Sequence, residues 1–361
     1  MANADLLARL KKASSVKDSA ILDESKIFGK KDMIPVSVPM MNVLFSGELD
    51  GGFTPGLTQF AGPSKHFKTS FVLLAAKAFL DKYDDGIILF YDSEFGTPES
   101  YFGSFGIDAG RVFHTPLTDI EQLKFDIMQQ LDGLTRKDHV MIIIDSLGNL
   151  ASKKEVEDAL AGKGAADMTR AKQLKSLGRM ITPHLTLKDI PLFAINHIYM
   201  TQEMYSKPVV SGGTGMYYSA DNIYIVGRQQ DKDGTDLLGY NFVVNVDKSR
   251  FVKEKSKILL NVTFDKGINK WSGLLETALE TGHVTKPKVG WYSKVDTSTG
   301  EIADKLYREK DTQTEEFWGP LLADKSFKEA VKKMYKLAEV DMIAQSSVST
   351  STTVEDEGDD E

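Results

Sequence analysis

The stretch GPSKHFKTS, residues 62–70, lies between the apolar run LTQFA (57–61) and the helical pattern TSFVLLAAKAFLDKY (69–83). Strand, loop and helix in that order are the context in which a Lys-Thr pair becomes a phosphate-binding loop. The pattern of such a loop is G-x4-G-K-[ST]. Gly62, Lys68 and Thr69 match it, and Phe67 stands where the second glycine belongs. Residues Gly62, Pro63, Ser64, Lys65, His66, Phe67, Lys68, Thr69 and Ser70 would wrap a phosphate with backbone N–H groups and a helix N-terminus. Lys68 would reach the β- and γ-phosphates and the Thr69 hydroxyl would hold Mg2+, so the expected cofactors are ATP and Mg2+. Phe67 poses a backbone question, because a residue with a Cβ enters positive φ less freely than glycine.

The same alternation continues outward. GIILFYDSE (86–94), VMIIID (140–145) and IPLFAIN (190–196) are near-continuous apolar runs. Helical patterns separate them, DIEQLKFDIMQQLDGL (119–134) and a basic segment reaching about Met180. The fold class is therefore α/β, a mostly parallel sheet covered by helices on both faces. From residue 221 the rhythm changes. DNIYIVGRQ (221–229), YNFVVNVDKSR (240–250) and SKILLNVTFD (256–265), with turn signals such as KDGT between them, predict an antiparallel extension of the same sheet. Residues 4–12 read as a short amphipathic helix with Leu6, Leu7 and Leu10 on one side, followed by a polar link and a Gly- and Pro-rich irregular entry. The expected units are an N-terminal helical arm (1–35), the core (36–266), a small C-terminal α+β lobe (267–343) and an acidic disordered tail (344–361).

Composition narrows the classes. With no cysteine there are no disulfides and no thiolate metal sites, which fits a reducing compartment. The six histidines lack zinc-ligand spacing. No apolar run approaches the ~20 residues of a membrane helix, and the N-terminus has no signal-peptide core, so the expected setting is the cytoplasm without a membrane partner. Of the net charge of −8, six negative charges sit in the final VEDEGDDE, so the remainder carries only −2. Two stretches are locally basic: Lys153, Lys154, Lys163, Arg170, Lys172, Lys175 and Arg179, then Lys248, Arg250, Lys253, Lys255 and Lys257. A weakly acidic average therefore leaves room for a basic, DNA-binding face.

Two carboxylates complete the candidate site. Asp145 ends the strand VMIIID, as a metal-orienting aspartate requires, and Glu94 ends the neighbouring strand, where a carboxylate could polarise an attacking water. Asp92 is the rival for that second role. All these positions fall at carboxyl ends of strands, where open α/β sheets bind ligands.

The ordered set GPSKHFKTS, FYDSEFG, MIIIDSLGNL, AINH, SGGTG, VDKSR, GIN and GWYS resembles the RecA family of DNA strand-exchange proteins, in its T-even-like bacteriophage branch, over residues 1 to about 343. The resemblance implies a RecA-like P-loop ATPase core and residue roles. Glu94 matches the catalytic carboxylate, Tyr101 the tyrosine that stacks on adenine, and His197 the position that senses the γ-phosphate. Lys248 and Arg250 match a basic pair that reaches the ATP of the next subunit. The first DNA loop would involve Lys153, Lys154, Lys163, Met168, Arg170 and Lys172. The second would involve Tyr199, Met204, Tyr205, Lys207, Gly212 and Gly213, with aromatic and Met side chains placed to stack on bases. Taken alone, the first of these is an ordinary solvated basic helix. The implied activity is DNA-dependent ATP hydrolysis in a helical filament on single-stranded DNA that pairs with duplex DNA and exchanges strands. Implied partners are further copies of the chain, a recombination mediator and a single-strand-binding protein. A hexameric helicase of the same superfamily and a non-hydrolysing, ATP-gated DNA-coating protein are the alternatives.

Overall fold

The computed structural model describes residues 2–16, 18–25, 27, 31–162, 169–202 and 206–338. Strands β1 (Gly56–Ala61), β2 (Ile87–Asp92), β3 (Val112–Pro116), β4 (Val140–Asp145) and β5 (Pro191–Asn196) are followed by a small hairpin, β6 (Ile198–Met200) and β7 (Pro208–Val210). Then come β8 (Asn222–Asp233), β9 (Asp236–Lys248), β10 (Lys257–Thr263), β11 (Gly267–Ile268) and a second small hairpin, β12 (Val284–Lys288) and β13 (Trp291–Lys294). The α-helices are α1 (Ala2–Ala13), α2 (Pro39–Ser46), α3 (Lys68–Lys82), α4 (Glu99–Ser104), α5 (Ile120–Gly133), α6 (Lys153–Leu160), α7 (Thr169–Leu187), α8 (Thr214–Ser219), α9 (Leu274–Glu280), α10 (Glu315–Ala323) and α11 (Lys325–Tyr335).

The main sheet has the order β11-β10-β9-β8-β1-β5-β4-β2-β3. Strands β3, β2, β4, β5, β1 and β8 run parallel, and β9, β10 and β11 extend the sheet antiparallel. This is the expected α/β layout. Side-chain alternation splits the core in two. Phe60, Phe90, Ile143, Phe193 and Tyr224 face α2, α3 and the C-terminal elements, while Leu57, Tyr91, Ile144, Leu192 and Ile223 face α5, α7 and α8. Helix α5 starts where the Asp119 carboxylate accepts from Gln122 N, and it buries Ile120, Leu123, Ile127 and Leu131 at helical spacing. Each such side chain contributes about 1.5–3 kcal/mol by leaving water. Trp271, Leu274, Phe317, Trp318, Phe327 and Val331 of the C-terminal elements belong to the same apolar cluster as α2 and α3.

The structure differs from the sequence reading in three places. The Gly- and Pro-rich entry contains α2, all of whose residues are buried; Pro39 opens it at N1 and Gly47, at φ 76, closes it. Those same residues, read as breakers, had marked the segment as irregular. The edge strand β3 is short and largely exposed, so VFHTP shows no continuous apolar run. The stems of the second expected DNA loop form the β6–β7 hairpin.

Candidate nucleotide site and its neighbouring loops

The loop from Gly62 to Phe67 leaves the end of β1 and enters α3 at Lys68. Gly62 is required sterically, since a Cβ there would lie 2.8 Å from the Val226 carbonyl oxygen. Phe67 adopts the left-handed conformation (φ 57, ψ 17) that glycine would favour. Its ring points away from the loop and packs on Phe71 and Phe242, at centroid distances of 6.3 and 5.3 Å. The strain of a left-handed non-glycine residue, about 1–2 kcal/mol, is of the size that aromatic packing offsets. A second brace comes from Arg228, which donates to Lys65 O at 3.1 Å and stacks on Tyr240. The long β8–β9 hairpin therefore holds the loop from outside, and the loop geometry survives without its second glycine.

Within the cradle, the buried Lys68 ammonium donates to Gly62 O (3.1 Å) and Pro63 O (2.8 Å). Burial lowers its pKa, opposed by the nearby charges of Glu94 and Asp145. Thr69 Oγ1 donates to Asp145 Oδ2 at 2.8 Å. Asp145 Oδ1 is buried and has no hydrogen-bond partner among the described residues. Burial pushes this carboxyl up to about 6. An orphaned carboxylate oxygen beside a hydroxyl is a donor set that suits Mg2+, so the residues present fit the ion. Ser70 does not face the loop; its hydroxyl pairs with that of Tyr101, which also meets Phe105 edge-on. His66 is paired with Ser64 O at 2.9 Å.

Glu94 is presented by a turn that Asp92 builds. The buried Asp92 Oδ1 accepts from Glu94 N (3.0 Å) and Phe95 N (2.8 Å), and its other oxygen meets His114 Nε2 at 3.2 Å. Asp92, the rival base, is thus committed to positioning. Glu94 Oε1 accepts from Ser146 Oγ (2.6 Å) and lies 3.2 Å from His197 Nε2. The hydrogen bond from His197, chiefly, and that from Ser146 hold Glu94 ionised down to about 2 against the opposing effect of burial. The His197 ring lies against Gly148, where a Cβ would come within 2.3 Å of its Cδ2. Sequence reasoning missed Ser146; the serine directly after the metal-ligand candidate was its only signal.

The expected DNA residues divide. Tyr199, Lys207, Lys153 and Lys172 are exposed, the first two flanking residues 203–205 on the β6–β7 hairpin. Gly212 and Gly213 have φ of 98 and 75, and a Cβ at Gly212 would strike Leu174. Lys154 pairs with Asp158 along α6. Arg170 turns inward: its guanidinium donates to Leu147 O, Gly148 O and Leu150 O. Lys163, Met168, Met204 and Tyr205 lie outside the described residues.

Lys248 donates to the carbonyls of Tyr217, Tyr218 and Ala220 at the C-terminus of α8, and Lys253 to those of Lys333 and Met334 at the end of α11. Arg250 pairs with Asp221, whose carboxylate accepts from Leu57 N at the start of β1. The phosphate loop begins at the other end of β1. Five steps of ~3.3 Å from Leu57 to Gly62 put about 17 Å between the two, so Lys248 and Arg250 do not serve this chain's own loop.

Comparison with known proteins finds the following likenesses. Residues 31–269 match the RecA N-terminal domain, and residues 271–331 match the C-terminal domain of the bacteriophage T4 recombination and repair protein. The chain is 52% identical over 341 residues to the recombination and repair protein of Enterobacteria phage T4, covering 93% of this chain and 87% of that one. It is 26% identical over 294 residues to protein RecA of Bacteroides thetaiotaomicron, covering 77% and 86%. To protein RecA of a Synechococcus strain it is 25% identical over 260 residues, covering 71% and 67%.

Proposed function

Because this chain belongs to the RecA family of recombination proteins, we propose that it is an ATP-dependent recombinase that hydrolyses ATP while assembled with further copies of itself on single-stranded DNA. The observation that carries the hydrolytic part is Glu94, an ionised carboxylate held by Ser146 and His197 beside the Thr69–Asp145 pair. Glu94 accepts a proton from the attacking water as that water bonds to the γ-phosphorus and the bond to the β-phosphate oxygen breaks. Lys68 neutralises charge on the phosphates once it leaves the Gly62 and Pro63 carbonyls. Thr69 and Asp145 would hold Mg2+, which spreads the developing negative charge. Tyr101, held by Ser70, would flank the adenine.

The self-assembly part is supported by α1, whose Leu6, Leu7 and Leu10 are 40–58% exposed. It is supported too by the placement of Lys248 and Arg250 away from this chain's own loop; each would leave its present partners, the carbonyls of Tyr217, Tyr218 and Ala220 and the Asp221 carboxylate, to reach the loop of an adjacent copy. Tyr199 and Lys207 on the β6–β7 hairpin suit contact with stacked bases and phosphates. The testing experiment is ATP turnover with and without single-stranded DNA for the wild type, Lys68→Ala and Glu94→Gln. The expected result is DNA-stimulated turnover that both substitutions abolish. Turnover by Glu94→Gln equal to wild type would remove the reading of the base.

A further inference from the structure

We infer that Arg170 is a positioning residue for the hydrolytic site rather than a DNA contact, an inference that rests on the ATPase reading above. Arg170 stands in the first turn of α7, and its half-buried guanidinium grips the segment that follows the catalytic strand β4. Nε donates to Leu150 O at 2.8 Å, and Nη2 donates to Leu147 O at 2.9 Å and Gly148 O at 3.0 Å. Nη1 reaches Ser211 Oγ at 3.4 Å. Both gripped segments form walls around His197. Gly148 leaves no room for a Cβ against the imidazole, and Ser211 N donates to His197 O at 2.9 Å. His197 in turn meets Glu94 at 3.2 Å.

Arg170 therefore fixes the slot that keeps the imidazole on the catalytic carboxylate, without touching nucleotide itself. The planar fork of a guanidinium, donating from both Nε and Nη2, spans the three carbonyls spread from Leu147 to Leu150; the point charge of an ammonium lacks that fixed, bidentate reach. A DNA phosphate that drew Arg170 outward would forfeit all three. The exposed Lys153, Lys172 and Lys207 reach solvent with no such loss.

The experiment compares wild type, Arg170→Gln and Arg170→Lys by three measurements. These are kcat and KM for ATP at saturating single-stranded DNA, affinity for a labelled oligonucleotide across salt concentrations, and the ring NMR resonance of His197 in the nucleotide-free protein. That resonance is assigned by its loss in His197→Ala. The expected result for both variants is a kcat lower by about 10²-fold, as for a misplaced catalytic group, with KM and DNA affinity within about twofold of wild type and the His197 resonance displaced. A wild-type kcat at saturating DNA, with weaker and less salt-dependent DNA binding, would overturn the inference and make Arg170 a phosphate contact. If Arg170→Gln does not fold, Arg170→Lys decides alone, since it keeps the charge and loses the fork. Absence of any turnover by the wild type would fail the ATPase reading instead, and the His197 resonance would still report on Arg170.

Discussion

Ser146 donates its hydroxyl proton to Glu94 Oε1 at 2.6 Å from the position directly after Asp145. Adjacent residues of one strand end thus serve the two carboxylates of the site, whose acidities diverge. Donors from His197 and Ser146 hold Glu94 down to about 2, and burial raises Asp145 to about 6. Setting two titratable groups apart in this way assigns them different roles. The first stays an anion able to take a proton, and the second waits for a cation.

Replacing Ser146 by Ala removes the shorter donor to Glu94. The Glu94 pKa then rises, and because the ionised form is the active one, the acid limb of kcat moves to higher pH. At neutral pH Glu94 stays ionised, so the fall of about 10-fold expected in kcat there comes from a carboxylate held less firmly in place. A pH profile of kcat checks this; an acid limb that stays in place refutes it.

Asp145 carries a stability signature of opposite sign. Its carboxyl titrates near 6 in the folded chain against an ordinary value of 3.8. Between those values the folded state binds the proton more tightly than the unfolded one, so stability falls as pH rises through the window. The loss is on the order of 3 kcal/mol. Urea unfolding without Mg2+ at about pH 5 and about pH 7.5 should show a larger loss for wild type than for Asp145→Asn. Mg2+ added at the higher pH should recover stability in the wild type alone.

Phe67 makes the two common truncations unequal. Ala at 67 keeps a Cβ in the left-handed region and loses the aromatic brace on Phe71 and Phe242, whereas Gly loses the brace and relieves the strain. Phe67→Gly should be more stable than Phe67→Ala by about 1 kcal/mol in urea titrations. Both should bind ATP more weakly than wild type, as measured by KM. A wild-type KM in either would show that the loop needs no brace.

A Cβ at Gly148 would displace the His197 ring. Gly148→Ala should lower kcat by about 10²-fold while leaving the KM for ATP near wild type. A steady-state comparison at saturating DNA measures it, and an unchanged kcat would show that His197 is dispensable where it lies.

For the exposed lysines the expectation concerns salt. Lys207→Ala and Lys153→Ala should each weaken DNA binding across sequences and reduce the slope of log affinity against log salt by about 1. Anisotropy titrations over a salt series test this, and an unchanged slope would take either residue off the DNA path.

Much of this was legible locally. The runs at 140–145 and 190–196 became β4 and β5 because a parallel strand buried on both faces reads as unbroken apolar sequence. Lys68, Thr69, Glu94 and Asp145 converged because strand ends in such a sheet share one edge. What escaped the sequence depends on distant partners. Phe242, which makes Phe67 workable, lies 175 positions along the chain, and nothing near residue 67 announces it. Arg170 and Lys248 read as free charges, yet carbonyls brought together only by the fold occupy them. Strand β3 pairs through its backbone with β2 at an exposed edge, so its side chains carried little signal.

The phosphate loop and Arg250 stand at opposite ends of β1. If each loop is completed by its neighbour's Lys248 and Arg250 in a head-to-tail contact, that contact is heterologous and grows open-ended unless its rotation closes. A linear stack then has one fewer finished site than it has members, and the two terminal members differ. One offers cations to the solvent, the other an uncompleted loop. Growth and loss would follow different rules at each end, giving the assembly a direction already written along a single strand.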